Sequence, residues 1–132
     1  MLLVDTDVMI DLLRQYPPAL AWLDSLGEEE IVLPGFVVME LIQGCRNKQE
    51  QEKVEADLAA YSVAWPSPAT CEAALSTFAR YYLSHDLGIL DALIAQMAVA
   101  LRVPLHTFNQ KHYVAIPHLV TVQPYEKGAQ RS

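Results

Sequence analysis

Several things that common functions require are scarce in this sequence. Its 132 residues carry nine Lys and Arg against sixteen Asp and Glu, a net charge of −7. A protein that holds nucleic acid by general electrostatics needs a positive surplus, so that class is excluded; an enzyme that meets it through a few basic residues and bound metal is not. Only two cysteines are present, Cys45 and Cys71, far apart and without a CxxC partner. They read as free thiols of a reducing cytosol, with a disulfide as the alternative. The four histidines have no zinc-like spacing, and no Cys lies near a His at metal-ligand spacing. There is no Gly-rich phosphate loop, no GxSxG nucleophile turn, no internal repeat and no low-complexity segment. The N-terminus lacks a basic stretch followed by a long apolar run, and no uninterrupted apolar segment approaches membrane-spanning length. A cytoplasmic protein with no membrane contact is the expectation.

What is present is one domain with a sizeable core, since 52% of the residues are hydrophobic. Leu2-Leu3-Val4 is short and apolar with no alternation, as in a strand covered on both faces. Asp5 follows directly, and Thr6 or Asp7 is placed to cap a helix with Val8, Ile10, Leu12 and Leu13 on its buried side. Tyr16-Pro17-Pro18 breaks that helix, and a second runs from about Ala19 to Leu26. Gly27 to Glu30 is a charged turn, Ile31-Val32-Leu33 a second buried strand, and Phe36 to about Gly44 a helix. Lys48 to about Tyr61 is an amphipathic helix with Val54, Leu58 and Tyr61 inward. Ser62 to Trp65 reads as a brief strand, Ala69 to Ser84 as a long helix, and Ile89 to Leu101 as a nearly all-apolar one with Ala92, Ala95 and Ala98 in a close-packing stripe. Val103 to Thr107 is a strand, Asn109 to Tyr113 a turn or short helix, and Leu119 to Val122 a last strand. Helices between strands imply parallel pairing and an α/β sandwich.

Acids on polar helices are ordinary; an acid inside an apolar run needs an explanation. Three stand out: Asp5 after Leu-Leu-Val, Glu40 within Phe36–Ile42, and Asp91 within Ile89–Ala95. Each has an ordinary reading. Asp5 suits a helix N-cap, Glu40 a pair with Arg46, and Asp91 the first turn of its helix, where the dipole favours an acid. Together they lie near element ends that can face one site. Two or more carboxylates brought together repel, and are then protonated or hold a cation. An all-oxygen set suits Mg²⁺ or Mn²⁺ rather than zinc. Asp7 reads as first-turn capping or a supporting acid, Asp11 as facing solvent, and Asp86 as a loop acid.

Four stretches, Asp5-Thr6-Asp7-Val8-Met9-Ile10-Asp11, Met39-Glu40-Leu41-Ile42-Gln43-Gly44, Asp91-Ala92-Leu93-Ile94-Ala95 and Thr107-Phe108-Asn109-Gln110-Lys111-His112-Tyr113, follow one another in this order. The set resembles the motifs of PIN-domain ribonucleases, and most closely the VapC toxins of bacterial type II toxin–antitoxin pairs. The resemblance spreads over residues 1 to about 123. It implies a three-layer α/β sandwich with a central, mostly parallel sheet flanked by helices over residues 1–124, with 125–132 left as a frayed C-terminal tail. It implies a Mg²⁺- or Mn²⁺-dependent endoribonuclease, an RNA substrate, a VapB-like antitoxin whose C-terminal segment lies over the active-site groove, and a homodimer. Asp5, Glu40 and Asp91 match the family's acidic positions. Many members carry a fourth acid where this chain has His112, and Asn109 matches the polar residue three places earlier. Asp7 stands where many relatives have Asn or Ser, which by the resemblance would restore part of the missing negative charge.

The chemistry that follows uses Asp5 and Asp91 as direct metal ligands, Glu40 as a ligand through water or as the group orienting the attacking water, and Thr107 and Asn109 to position water or phosphate. Arg46, Lys111 and His112 are candidates for contact with RNA phosphate, against solvated surface charge as the ordinary reading of the first two. Competing readings keep the fold with no turnover, as an interaction module, or with RNA processing outside a toxin pair. A receiver-like domain phosphorylated on Asp fits poorly, because Glu40 and the Thr107–His112 stretch have no place in it.

Overall fold

The computed structural model describes residues 1–127. The elements run β1 (Leu2–Val4), α1 (Thr6–Leu13), α2 (Pro17–Ser25), β2 (Ile31–Pro34), α3 (Gly35–Gln43), α4 (Lys48–Leu58), β3 (Ser62–Ala64), α5 (Pro68–His85), α6 (Ile89–Leu101), β4 (Leu105–His106), α7 (Gln110–Tyr113) and β5 (Thr121–Val122). The five strands form one sheet in the order β3-β2-β1-β4-β5. Every pairing is parallel: Leu2 opposite Ile31, Leu3 opposite Leu105, Val32 opposite Ser62 and Leu105 opposite Thr121. This is the expected α/β fold.

The unbroken apolar runs account for the centre of the sheet. Successive strand residues point to opposite faces, so a strand buried at every position is covered on both. Leu2, Leu3 and Val4 are all buried, as are Ile31 to Leu33. The Ala92, Ala95 and Ala98 stripe of α6 is buried too, as expected for close packing. From β1 the chain winds outward through β2 to β3, then returns to the other side of β1 with β4. Direction therefore reverses between β1 and β4, and in open α/β sheets the crevice at the carboxyl ends of such a strand pair is where ligands bind.

Three expectations are corrected. The cap of α1 is Asp5, as the ordinary reading of that acid has it, with extended φ −82° and ψ 166° and its carboxylate accepting the Thr6 N–H, rather than Thr6 or Asp7. Asp11 is buried and not turned to solvent: it accepts hydrogen bonds from the Tyr125 hydroxyl at 2.8 Å and Lys127 Nζ at 3.1 Å. The frayed tail does not begin at Tyr125. That ring meets Phe108, Trp22 and Tyr16, with centroids at 4.9, 6.1 and 6.3 Å. The remainder of the expected tail, 128–132, lies outside the described residues. Cys45 and Cys71 are free thiols, and no helix among the described residues is long and apolar enough to cross a membrane.

His106 shows what a polar residue on a buried strand costs. Its ring lies against Trp22, centroids 5.5 Å apart, and among the described residues Nδ1 finds no hydrogen-bond partner. Burial pushes the imidazole pKa below its ordinary value. A group with a depressed folded-state pKa gives stability that is complete above its ordinary pKa and lost as pH falls through the folded one. His106→Phe should therefore be more stable near neutrality, by about 1 kcal/mol for removing an unpaired buried nitrogen. It should also lose less stability than the wild type between about pH 7 and about pH 5, the range in which an ordinary imidazole takes up its proton. Thermal melts of the two proteins across that range measure it, because the buried acids are common to both and cancel.

Candidate active site

Asp5 leaves the end of β1 as the cap of α1, which aims its carboxylate over the carboxyl edge of the sheet. Oδ1 accepts the Thr6 N–H at 2.8 Å. Oδ2 accepts two hydroxyls, from Thr107 just past β4 and from Tyr113 at the end of α7, each at 2.9 Å. The Tyr113 hydroxyl is also 3.3 Å from Asp91 Oδ1. Asp91 occupies the first turn of α6, and its Oδ2 reaches back to the Gly88 N–H at 3.0 Å. A Cβ at Gly88 would lie 3.1 Å from that oxygen, so the glycine lets the acid fold back. The ordinary reading of Asp91 as a first-turn acid thus holds, and the same position leaves its Oδ1 beside the hydroxyl that Asp5 binds. Glu40, on α3, is tied in through Thr6, whose hydroxyl donates to Oε1 at 2.7 Å. Its ordinary alternative, a pair with Arg46, does not form; Arg46 pairs with Glu50 at 2.9 Å.

Around this centre Asp7 joins α1 to the segment after β4. Its Oδ1 accepts the Val8 N–H, and its Oδ2 accepts the Phe108 N–H at 2.9 Å and the Asn109 amide at 3.3 Å. Thr107 Oγ1 accepts the Asn109 N–H at 3.0 Å while donating to Asp5. Thr107 is fully buried and Asn109 exposed. Asp5, Glu40, Asp91, Thr107 and Asn109 are therefore brought together. Arg46 is exposed on the wall of a groove of about 590 Å³ that also contains Thr6, Ile10, Leu13, Arg14, Glu40, Leu41 and Lys53. Lys111 is exposed and His112 half-buried on α7. The residue of that turn that hydrogen-bonds to the acids is their neighbour Tyr113.

The carboxylates are crowded. Burial, with the charge of Asp91, raises the Asp5 pKa above the usual range despite its three hydrogen bonds. Burial and the charge of Asp5 push Asp7 up to about 6. Burial and the two acids push the Tyr113 phenol far up, so it remains a hydroxyl donor. Among the described residues no three Asp, Glu, His or Cys side chains stand close enough to enclose an ion by themselves. The centre is an acidic pair, Asp5 and Asp91, with Glu40 one side chain away. That donor set fits a hard cation such as Mg²⁺, which is commonly held through one or two carboxylates and keeps several waters. It supplies neither the nitrogen nor the sulfur that zinc favours.

Sequence reasoning missed two residues of this centre. Thr6 was visible only as a cap, yet it links Asp5 to Glu40. Tyr113 was placed only at the end of a turn or short helix and given no role; the available signal was a phenol in the fourth motif, whose hydroxyl requires a polar partner when buried.

Residues 2–116 match the model of the PIN domain family. The chain is 35% identical over 124 residues to Ribonuclease VapC19 of Mycobacterium tuberculosis, covering 90% of this chain and 97% of that protein. Among solved structures it is similar to a toxin–antitoxin complex from Klebsiella pneumoniae, with TM-score 0.78, 24% identity, and coverage of 96% of this chain and 100% of the other. VapBC-1 from nontypeable Haemophilus influenzae gives TM-score 0.75, 25% identity, and coverage of 92% and 96%. VapBC2 from Rickettsia felis, bound to a DNA fragment from its promoter, gives TM-score 0.73, 23% identity, and coverage of 91% and 96%.

Proposed function

Because the chain belongs to the PIN-domain family, with a VapC ribonuclease among its relatives, we propose that it is a Mg²⁺- or Mn²⁺-dependent endoribonuclease, the toxin of a toxin–antitoxin pair. The observation that carries this reading is the meeting of Asp5 and Asp91 on one hydroxyl at the β1–β4 crevice, with Glu40 joined through Thr6. Asp5 and Asp91 would hold the cation, and Glu40 would take part through water. When bound, such an ion supplies the Lewis acidity that activates water and steadies charge on the phosphate. Glu40 lines the groove, from which it would orient a water for in-line attack on the phosphodiester. Thr107 holds Asp5, while Asn109 remains exposed at the rim to meet water or a phosphate oxygen. Arg46, Lys111 and His112 are the nearby groups suited to the RNA backbone.

The partner reading rests on the same groove. Ile10, Leu13 and Leu41 give it an apolar floor, and Arg14, Arg46 and Lys53 stand along it, Arg46 and Lys53 in exposed pairs with Glu50 and Asp57 that an acidic segment would compete for. An antitoxin's C-terminal segment with apolar and acidic side chains fits it and would close the approach to Glu40. A second copy of the chain would meet the outer face of α5, where Cys71, Leu75, Phe78 and Tyr82 follow at spacings of four, three and four. Cys71, Leu75 and Phe78, with Ile89 and Leu93, surround an apolar recess of about 300 Å³, and Leu75, Tyr82 and Leu83 are 63%, 52% and 90% exposed. Leu75→Glu with Tyr82→Glu should convert a dimer to a monomer in light scattering; wild-type protein that is already monomeric at micromolar concentration removes the dimer.

The deciding experiment is cleavage of a mixed RNA pool by partner-free protein with Mn²⁺, Mg²⁺ or EDTA, beside an Asp5→Asn, Asp91→Asn double variant. Metal-dependent cutting that vanishes in the variant is expected. Absence of both cutting and Mn²⁺ binding would leave an inert PIN-like module.

A further inference from the structure

We propose that Tyr113 is a positioning residue of the metal centre: its hydroxyl sets the spacing of Asp5 and Asp91 and selects which oxygen Asp5 presents to a hard cation. This rests on the reading of Asp5 and Asp91 as ligands. The argument begins from counting lone pairs. A carboxylate has about four acceptor sites, two on each oxygen. Asp5 Oδ2 has both occupied, by the hydroxyls of Thr107 and Tyr113. Oδ1 has one occupied, by the Thr6 N–H. One site on Oδ1 therefore remains for a cation, and Asp5 binds through that atom alone.

On Asp91, Oδ2 is engaged by the Gly88 N–H, and Oδ1 faces Tyr113 at 3.3 Å. A phenol carries one proton, and its shorter contact is to Asp5 at 2.9 Å. The Tyr113 oxygen thus stands as a spacer between two like charges, bonded to one and touching the other. Its ring is 1% exposed and fixed in the core, so the spacing is set by packing and does not depend on the acids themselves. Phenylalanine would fill the same space. The hydroxyl adds only these two contacts, and a buried hydroxyl is costly unless it is bonded.

Groups that hold metal ligands by hydrogen bonds typically contribute tenfold to a hundredfold to metal affinity when removed. The test uses the full chain stripped with EDTA and titrated with Mn²⁺ alone, with free Mn²⁺ read by electron paramagnetic resonance. Tyr113→Phe should bind Mn²⁺ at least tenfold more weakly than wild type while staying folded in EDTA, with a melting temperature a few degrees lower for the donor lost from Asp5. In an Asp91→Asn background the same substitution should cost less, because the spacing it sets no longer separates two charges. A measurement needing no variant at the position is the ring signal of Tyr113 in the wild type, which bound Mn²⁺ should broaden beyond detection. Affinity within twofold of wild type, an undiminished effect in the Asp91→Asn background, or a ring signal that stays sharp overturns the role of Tyr113. A wild-type protein that binds no Mn²⁺ overturns the metal reading, and this inference with it.

Discussion

Asp5→Asn is expected to lower RNA cleavage by about a thousandfold, the equivalent of about 4 kcal/mol, because a ligand of the activating cation is lost. The same substitution should stabilise the metal-free protein. Burial and the charge of Asp91 raise the Asp5 pKa in the folded state. A carboxylate raised above its unfolded value is a charge the fold must carry at neutral pH, and protonation relieves that strain as pH falls through the raised value. Asn carries no charge, and the Thr107 and Tyr113 hydroxyls are able to turn and accept from its amide. The gain should thus be largest at neutral pH and disappear below the ordinary carboxylate range near about pH 3.9. Melting both proteins in EDTA at neutral and acid pH measures it. An Asn variant that melts lower at neutral pH would show that the three hydrogen bonds to the carboxylate outweigh its burial.

The largest loss of stability away from the acidic centre is expected for Tyr125→Ala. The ring is packed on Phe108, Trp22 and Tyr16, and the hydroxyl donates to buried Asp11 at 2.8 Å. Lys127 completes the fastening, with Nζ 3.1 Å from Asp11 and 4.1 Å above the centre of the Phe108 ring. Removing the ring should cost about 3 kcal/mol, somewhat below a fully buried aromatic because Tyr125 is only partly enclosed. Tyr125→Phe separates the contributions: it keeps the packing and removes one donor from a buried carboxylate, for a cost of about 1 to 2 kcal/mol. Urea melts of the two variants give both values. An alanine variant as stable as wild type would show that this segment is not what shelters Asp11.

The acids at the centre were legible for a simple reason. A carboxylate in an apolar run stands out against its neighbours, and Asp5, Glu40 and Asp91 each do. The strand pattern was legible because strands covered on both faces are apolar at every position, as in Leu2–Val4. Asp11 was not, because its burial depends on Tyr125 and Lys127, more than a hundred positions away, and helix periodicity carries no trace of them. The strand order was hidden for the same reason: nothing local in Leu2–Val4 shows that Leu105 will lie beside it. Tyr113 was given no role, only a place at the end of a turn or short helix; its hydroxyl alone meets the acids, and one atom leaves no pattern along a chain.

The place of β1 at the middle of the sheet bears on how the protein is made. Of the five strands of this sheet β1 is made first, and one of its two neighbours, β4, is made fourth. Asp5 waits for hydroxyls 102 and 108 positions downstream. Such long loop closures slow folding and fall late in synthesis. A growing chain therefore carries its acids scattered until Thr107 and Tyr113 have been translated, and a chain cut short before Thr107 never assembles the centre. For a protein proposed to destroy RNA, unfinished copies are harmless to the message and the ribosome that are producing them.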